Sequence, residues 1–341
     1  MRDGKIKTTF LYTGTMIGAG FASGSEIAIY FLRHGGNFVI PLLLSCMIFA
    51  VFGKLTMNIA IKSRKFSYES FMDLVVGKWA SKAICFFTGI FFFILFTAMI
   101  SAFGTMMRGV FGINKNLGGI LFLFICVPVL LKGADGVIKA NCVLVPVLVA
   151  GIIICSAVSF GAGQGSPDCL SLAMPKRGAL LSGASFAFYN MVSCVPVLIE
   201  CAGDMREGKN ISSGCVIAAA LIFCLGVMMG TAILFSQTAL SSEIPMLSAV
   251  RDLSKVIYLV YALSFTASVY TTAAGNGFCA FEWFLAGKKS TLLRICIFLS
   301  AAYVLSFLSF SIFVENMYSV FSLVGLAEFI SLLFYCGKQK L

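Results

Sequence analysis

Residues 18–26 of the chain have the sequence GAGFASGSE and lie inside an otherwise apolar run that covers residues 8–32. Three glycines, two serines and one carboxylate are an unusual composition for a lipid-facing helix. Irregular backbone at membrane depth is tolerated only where it lines a cavity or is buried in protein, because lipid offers no hydrogen-bond partners. The stretch therefore predicts a membrane-spanning helix that is interrupted halfway, with free N–H and C=O groups that suit an anionic group and a cation.

The residues Ser23-Gly24-Ser25-Glu26 have the form S-x-x-E, which is typical of a capping box. This pattern predicts that a new helix begins at about Ser23 and that the Glu26 side chain accepts a hydrogen bond from the Ser23 N–H. Carboxylates inside membranes are also functional candidates, so two roles stay open for Glu26: a helix cap, and a site for a coupling ion or proton. The alternative for the whole stretch is an unbroken helix whose small residues allow close packing.

The composition indicates a chain that lies mostly within a membrane. Of the 341 residues, 60% are hydrophobic and 11% are charged, whereas soluble domains have about 25% charged residues. Apolar stretches recur at about the 20-residue length that a helix needs to cross a bilayer. We predict an all-α polytopic membrane protein with ten transmembrane helices, near residues 8–32, 37–61, 82–107, 117–132, 136–161, 178–202, 211–238, 255–284, 290–309 and 316–336.

The basic residues indicate the orientation of the chain. If the N-terminus is cytoplasmic, 18 of the 25 lysines and arginines fall in inner segments and 7 in outer segments. This bias follows the positive-inside rule and predicts that both termini lie in the cytoplasm. The net charge of +11 is spread over the loops and is not gathered on one soluble face, so we expect a lipid bilayer and no nucleic acid as partner.

A short internal repeat relates the two halves of the chain. Residues 18–22 (GAGFA) match residues 183–187 (GASFA) at four of five positions, with an offset of 165 residues. The two segments lie in spans one and six, and spans that are five apart run in opposite directions through the membrane. This arrangement predicts an inverted five-plus-five repeat, with one repeat over residues 1–162, the other over residues 163–341, and interruptions in helices 1 and 6.

Polar residues mark the centre of two further spans. Span six carries Tyr189 and Asn190, and Asn190 either lines a cavity or makes a hydrogen bond between helices. In span eight, Ser268, Thr271 and Thr272 share one face because they are spaced i, i+3 and i+4. Three neutral hydroxyl oxygens suit a hard cation such as Na⁺, and they are equally able to bond the carbonyls of their own helix.

Lys139 near the inner end of span five has two possible roles. A lysine at this depth is able to extend its ammonium to the headgroups. Alternatively, it substitutes for a bound cation as a fixed or titrating charge, which is the main rival to sodium coupling. The sequence contains no cluster of His, Asp or Cys residues that is typical of a catalytic site, so we expect no enzyme and no cofactor other than Na⁺ or H⁺ as coupling ion.

The stretch GTMIGAGFASGSE at residues 14–26, together with FYN at residues 188–190, resembles the YkvI-like family of bacterial membrane proteins. The family typically shows G-x-x-I-G-A-G-F-A-S-G-Q-E, and Ser25 here replaces the glutamine. The likeness covers essentially the whole chain in length and span count, and the family looks like a branch of the amino acid–polyamine–organocation superfamily with the LeuT-type fold. It implies the bacterial cytoplasmic membrane as the location.

The resemblance also implies roles for individual residues. With residues 18–20 (Gly18, Ala19 and Gly20) in the unwound segment, the N–H groups of Ala19, Gly20 and Phe21 are expected to bind a substrate carboxylate. Asn190 and its neighbour Tyr189 are expected to line the substrate pocket. The expected sodium ligands are the carbonyls of Gly14 and Ile17 and the hydroxyls of Ser268, Thr271 and Thr272.

Together these features predict an ion-coupled secondary active transporter that works by alternating access. The expected substrate is a small organic solute, an amino acid above all, moved with Na⁺ or H⁺. The rival hypothesis is a sensor or receptor that binds the same solutes without flux, as in spore-germination subunits. An ion channel is a weaker alternative, because the sequence shows no repeated pore motif.

Overall fold

The apolar runs of the sequence form helices. The computed structural model describes residues 2–35, 37–132, 134–161, 175, 177–204, 213–236, 238–251, 253–285 and 292–339. Its helices are α1 Arg2–Met16, α2 Ala19–Ser23, α3 Ser25–Ile27, α4 Val39–Ser63, α5 Tyr68–Val76, α6 Lys78–Phe111, α7 Lys115–Lys132, α8 Ala134–Gly161, α9 Arg177–Asp204, α10 Ser213–Leu234, α11 Pro245–Arg251, α12 Lys255–Leu285, α13 Leu292–Leu305, α14 Phe310–Ile312 and α15 Tyr318–Gln339.

The helices overlap all the predicted spans, but they differ in how well they suit a bilayer. Within the described residues, six helices are long and apolar enough to cross a membrane by length and composition, and they are Val39–Ser63, Lys78–Phe111, Gly178–Glu200, Ser213–Leu234, Lys255–Phe284 and Phe310–Lys338. Shorter apolar helices are Lys115–Pro128, Pro146–Ser159 and Leu293–Leu305. The count of ten crossings therefore stays a prediction.

Span one is interrupted, as the sequence predicts. Helix α1 ends at Met16, and the N–H of Ile17 still donates to the Thr13 carbonyl at 2.8 Å. Gly18 then takes an extended conformation, with φ −74° and ψ 177°, before α2 begins. A second irregularity follows at Gly24, whose φ of 78° lies in the left-handed region that favours glycine. The chain continues through α3 into a π-helical turn, Ala28–Leu32.

The predicted capping box is wrong. The helix that follows the interruption starts at Ala19 with Gly18 as its N-cap, and Ser23 lies at its end. The Ser23 hydroxyl donates to the Gly20 carbonyl at 2.7 Å and accepts from the Ser25 N–H at 3.0 Å. Glu26 instead lies over Gly20, where an added Cβ would be 2.6 Å from the Glu26 Cδ. The missing side chain at Gly20 gives the carboxyl its space.

The predicted interruption of span six is also wrong, because α9 is continuous through Pro196. Proline removes one backbone hydrogen bond, which membrane helices tolerate when neighbouring groups compensate. The Asn190 side chain donates to the Phe186 carbonyl of its own helix at 3.0 Å. Gly183 serves helix packing, since its carbonyl accepts a hydrogen bond from Ser45 of α4 at 2.7 Å. The small residues of the repeat thus accompany an interrupted helix in span one, whereas in span six they allow two helices to pack closely.

Helix α9 lies at the centre of the bundle. It packs most extensively against α4 and α15, while α12 packs against α6 and α8. The short helix α5 packs on α6, α9 and α15. Two polar contacts connect the residues after α3 to those before α15. The Arg33 guanidinium pairs with the Glu315 carboxylate at 3.2 Å, and the Tyr30 hydroxyl donates to the Val314 carbonyl at 3.1 Å. These contacts join the end of span one to the start of span ten.

Candidate functional site

The interruption of span one faces span eight. The N–H of Ala19, the first of α2, donates to the Thr272 Oγ1 of α12 at 3.1 Å. Gly18 lies beside the same hydroxyl, because a Cβ added there would be 3.5 Å from Thr272 Oγ1. Gly20 and Phe21 follow in the first turn of α2 and are buried. The structure therefore brings the predicted anion-binding amides next to one of the predicted cation ligands.

The three hydroxyls of α12 do not behave alike. Thr272 reaches across to α2, whereas the Thr271 hydroxyl donates to the Ser268 carbonyl of its own helix at 3.0 Å. The Ser268 hydroxyl is fully buried and has no hydrogen-bond partner among the described residues. A buried hydroxyl without a partner is costly, so Ser268 is the member of the set that a bound cation would satisfy.

Carbonyl oxygens lie on the other side of the interruption. Gly14 belongs to the last turn of α1, and Ile17 follows that turn and is buried. The carbonyls of a last helical turn have no partner within their helix. The hydroxyl of Thr13 in the same turn is also buried and lacks a hydrogen-bond partner in the described part of the chain. The helix end thus supplies the neutral oxygens that a hard cation prefers.

Glu26 lies in a group of aromatic rings in the second half of span one. Its side chain is 4% exposed, and its Oε2 has no hydrogen-bond partner among the described atoms. The Tyr189 hydroxyl of α9 lies beside the carboxyl. The Tyr189 ring stacks on Tyr30 at a centroid distance of 5.5 Å and packs on Tyr318 at 5.1 Å. These rings surround the carboxyl with neutral groups.

One predicted site residue is bonded elsewhere, and another has a side chain that the structure does not describe. The amide nitrogen of Asn190 is bonded to its own helix, so the predicted contact of Asn190 with a cavity or another helix is not seen for this group. Lys139 lies in α8, and its side chain falls outside the described part of the structure. Tyr189 is the predicted span-six residue that lies beside Glu26, and Phe186 of the same helix also packs on Tyr30 of span one.

The sequence reasoning missed three tyrosines at the site. For Tyr30 the available sequence signal was its spacing of four residues from Glu26, which places both on one face of a helix. Tyr318 comes from span ten, and the hydroxyl of Tyr261 from α12 donates to the carbonyl of Ala22. Their separation in sequence left no local signal, because only the tertiary packing of α9, α12 and α15 brings them to span one.

An open cavity of about 460 Å³ lies next to the second half of span one. The Ser25 hydroxyl donates to the Glu243 carbonyl at 2.7 Å, and Thr105 of α6 donates to the Glu243 carboxylate at 2.9 Å. Arg108 and Arg251 also line the cavity. Glu243, in the segment before α11, therefore lies between this cavity and the buried second half of span one.

Comparisons with known proteins support the same architecture. No model of a known protein family matches the chain. The chain is 26% identical over 325 residues to the uncharacterized membrane protein YkvI of Bacillus subtilis, covering 93% of this chain and 92% of that protein. The uncharacterized protein YyaD of the same organism is 22% identical over 342 residues, with 97% and 96% covered.

Solved structures show the same fold at low sequence identity. MhsT in complex with L-phenylalanine superposes with a TM-score of 0.71 and 14% identity, over 96% of this chain and 88% of that one. The protein is similar to YkvI along most of its length, and it has the LeuT-type fold. A manganese transporter of Eremococcus coleocola matches this chain with a TM-score of 0.62 and 15% identity, over 96% of this chain and 77% of that one. The protein is therefore an all-α, multi-pass membrane protein, and the interruption of its first span occurs within the LeuT-type fold.

Proposed function

We propose that this protein is an ion-coupled secondary active transporter that moves a small organic solute, an amino acid, by alternating access. The observation that carries the proposal is the interruption at Ile17 and Gly18, which faces the Thr272 hydroxyl in a LeuT-type fold. Such discontinuous helices form the solute and ion sites of transporters with internal repeats. MhsT, which shares the fold, was solved with bound L-phenylalanine, and another protein of the fold is a manganese transporter.

The chemistry of the interruption suits an amino acid. The N–H groups in the first turn of a helix have no partner within that helix, and its positive dipole end favours a carboxylate. We assign this role to Ala19, Gly20 and Phe21, with Thr272 as the partner that a carboxylate would replace at Ala19. The rings of Tyr189 and its neighbours provide an apolar surface, so we expect a solute with an apolar or aromatic side chain.

The coupling ion in this proposal is Na⁺ or H⁺. A sodium site would use the carbonyls of Gly14 and Ile17 with the hydroxyls of Ser268, Thr271 and Thr272, and the unpartnered Ser268 hydroxyl supports it. A proton site would use Glu26, and Lys139 is the alternative titrating group. We also propose the cytoplasmic membrane as the location, cytoplasmic termini, and an inverted repeat of residues 1–162 and 163–341.

Uptake into proteoliposomes tests the proposed function. The purified protein is reconstituted and given labelled amino acids with an imposed Na⁺ gradient, an imposed pH gradient, or neither. We expect saturable accumulation that requires one of the two gradients, with empty liposomes as the control. Saturable binding without accumulation would refute transport and support a solute sensor on the same fold.

Glu26→Gln is expected to remove the dependence of uptake on pH if protons are the coupling ion. Glutamine keeps the size and the neutral state of the side chain, and the site already surrounds Glu26 with neutral groups. Wild-type uptake should fall several-fold as the proton concentration outside is lowered, because a buried carboxyl without a cation must bind a proton to return to this site. The variant should show a flat pH profile with an unchanged unfolding temperature.

Glu315→Gln is the matched control for this experiment. Glu315 is an exposed carboxylate that pairs with Arg33 at the surface, so its substitution should leave the pH profile as in the wild type. A Glu26→Gln variant that keeps the full pH dependence of the wild type would exclude Glu26 as the proton site.

A further inference from the structure

A second buried carboxyl lies in span ten, where it contacts the short helix α5. Glu328 of α15 is fully buried, and its Oε1 accepts a hydrogen bond from the Tyr68 hydroxyl of α5. Its Oε2 has no hydrogen-bond partner among the described residues. The Tyr68 hydroxyl also lies 3.0 Å from the Thr88 Oγ1 of α6. One carboxyl group thus connects span ten, span three and the short helix between spans two and three.

The groups around this carboxyl are neutral or potentially anionic. The titratable groups that face it are the Tyr68 phenol from α5 and the Cys85 thiol from α6. Helices α9 and α4 contact the neighbouring turn of α15 with aromatic rings, Phe188 and Phe52, which both pack on Phe329. Within the described residues, the salt bridge found joins Arg33 and Glu315 and does not involve this site.

The burial of Glu328 determines its protonation state while α5 is packed on the bundle. An ionised carboxylate that is buried without a cation costs many kcal/mol, so such a group binds a proton instead. Burial raises the pKa of Tyr68 well above its ordinary value, so the phenol stays a hydrogen-bond donor. The carboxylates Glu69 and Asp73 on α5 lie near Cys85 and add negative potential on the same side.

Helix α5 has the features of an element that can undock. It has nine residues and is held in place by the buried side chains of Phe71 and Met72 and by Tyr68. The connection before it contains Arg64 with a φ of 56°, and the connection after it is Gly77 with a φ of 81°. These positions bound a short helix with few buried side chains, which is typical of segments that open locally.

We propose that Glu328 is a proton-binding site that controls the docking of α5 onto the bundle. With a proton bound, Glu328 is neutral and holds the Tyr68 hydroxyl. When the proton leaves to water, the carboxylate needs solvent, and α5 moves away to admit it. In the proposed topology α5 lies on the cytoplasmic face, so the site links proton release on that side to opening of the inner ends of α6 and α15.

Hydrogen–deuterium exchange of the amides at residues 68–76 tests this proposal on the full-length protein in detergent. Wild type and Glu328→Gln are compared at pH 6 and pH 9, each pair at the same pH so that intrinsic exchange rates cancel. We expect equal protection at pH 6 and several-fold faster exchange of the wild type at pH 9, because glutamine imitates the protonated carboxyl. Equal exchange of the two proteins at pH 9 would overturn the proposal.

Tyr68→Phe provides a second and independent reading. Phenylalanine keeps the ring and removes the hydroxyl, so we expect faster exchange of α5 than in the wild type at pH 6, and a further increase at pH 9 because the ionised Glu328 still needs solvent. If Glu328→Gln does not fold, this variant decides: exchange of α5 that equals the wild type at pH 6, or that rises between pH 6 and pH 9 only by the change in intrinsic rate, overturns the proposal. Glu315→Gln should behave as wild type. The readout needs no solute or flux, so it is separate from the test of transport.

Discussion

Gly325→Ala is expected to prevent stable packing of the helical bundle. A Cβ at this position of α15 would lie 2.6 Å from the carbonyl carbon of Phe188 in α9, and closer still to its oxygen. Both contacts are to backbone, so no side-chain rotation relieves them. Overpacking of a core costs about 1–3 kcal/mol and more where the backbone must move. We expect a large drop in unfolding temperature or aggregation during purification in detergent.

Gly337→Ala is the matched control for this substitution. It lies on the same helix, and a Cβ there would meet nothing within 4 Å. Alanine is the better helix former by about 1 kcal/mol at most, so this variant should be as stable as the wild type or slightly more stable. Similar unfolding temperatures for the two variants would contradict the close approach of α15 to α9.

The sequence predicts the helical regions and the interruption of span one for one physical reason. Both follow from the demand that lipid makes on the backbone, which requires apolar helices and allows irregular segments only inside protein. The composition of residues 18–26 is therefore informative without any knowledge of neighbouring helices. The structure confirms the interruption and places it at Ile17 and Gly18.

Local motifs fail where a distant contact is stronger. The S-x-x-E pattern predicts that Glu26 turns back to Ser23, but its carboxyl finds space over Gly20 and lies beside Tyr189 of α9. A capping box describes only neighbours along the chain. The space at Gly20 and the ring of Tyr189 exist only after span one and span six have packed.

The repeat in span six misleads for a similar reason. Glycine allows an irregular backbone and it also allows two helices to approach closely. At Gly18 the first property is used, whereas Gly183 lies against α4 and its carbonyl is bonded to Ser45. A match between two short sequences therefore does not distinguish a glycine in an irregular backbone from a glycine at a close helix contact. The hydrogen bond between Tyr68 and Glu328, which are 260 residues apart, likewise has no signal in the sequence.

Thr272→Val is expected to have the largest effect on binding at the interruption. Valine keeps the shape of threonine and removes the hydroxyl that accepts the Ala19 N–H. A buried donor left without a partner costs about 1–3 kcal/mol, so the conformation of residues 18–20 should lose stability. In the proposed sodium site the same substitution removes one ligand. We expect loss of sodium-stimulated solute binding, measured by isothermal titration with NaCl or choline chloride.

Thr272→Ser and Thr271→Val are the controls for this prediction. Serine keeps the hydroxyl, so sodium-stimulated binding should be largely retained. The Thr271 hydroxyl is bonded to its own helix at the Ser268 carbonyl, so Thr271→Val should weaken the sodium response less than Thr272→Val does. If Thr272→Val binds solute with the sodium dependence of the wild type, Thr272 is not a ligand of the coupling ion.

Ser268→Ala is expected to change the stability of the protein in opposite directions without and with sodium. The Ser268 hydroxyl is buried and lacks a partner in the described structure, so its removal should stabilise the sodium-free protein. If the hydroxyl binds Na⁺, the same substitution removes part of the stabilisation that ion binding adds to the folded state. The variant should therefore unfold at a higher temperature than wild type in choline chloride and at a lower temperature in NaCl. An identical shift in both salts would show that Ser268 does not bind sodium.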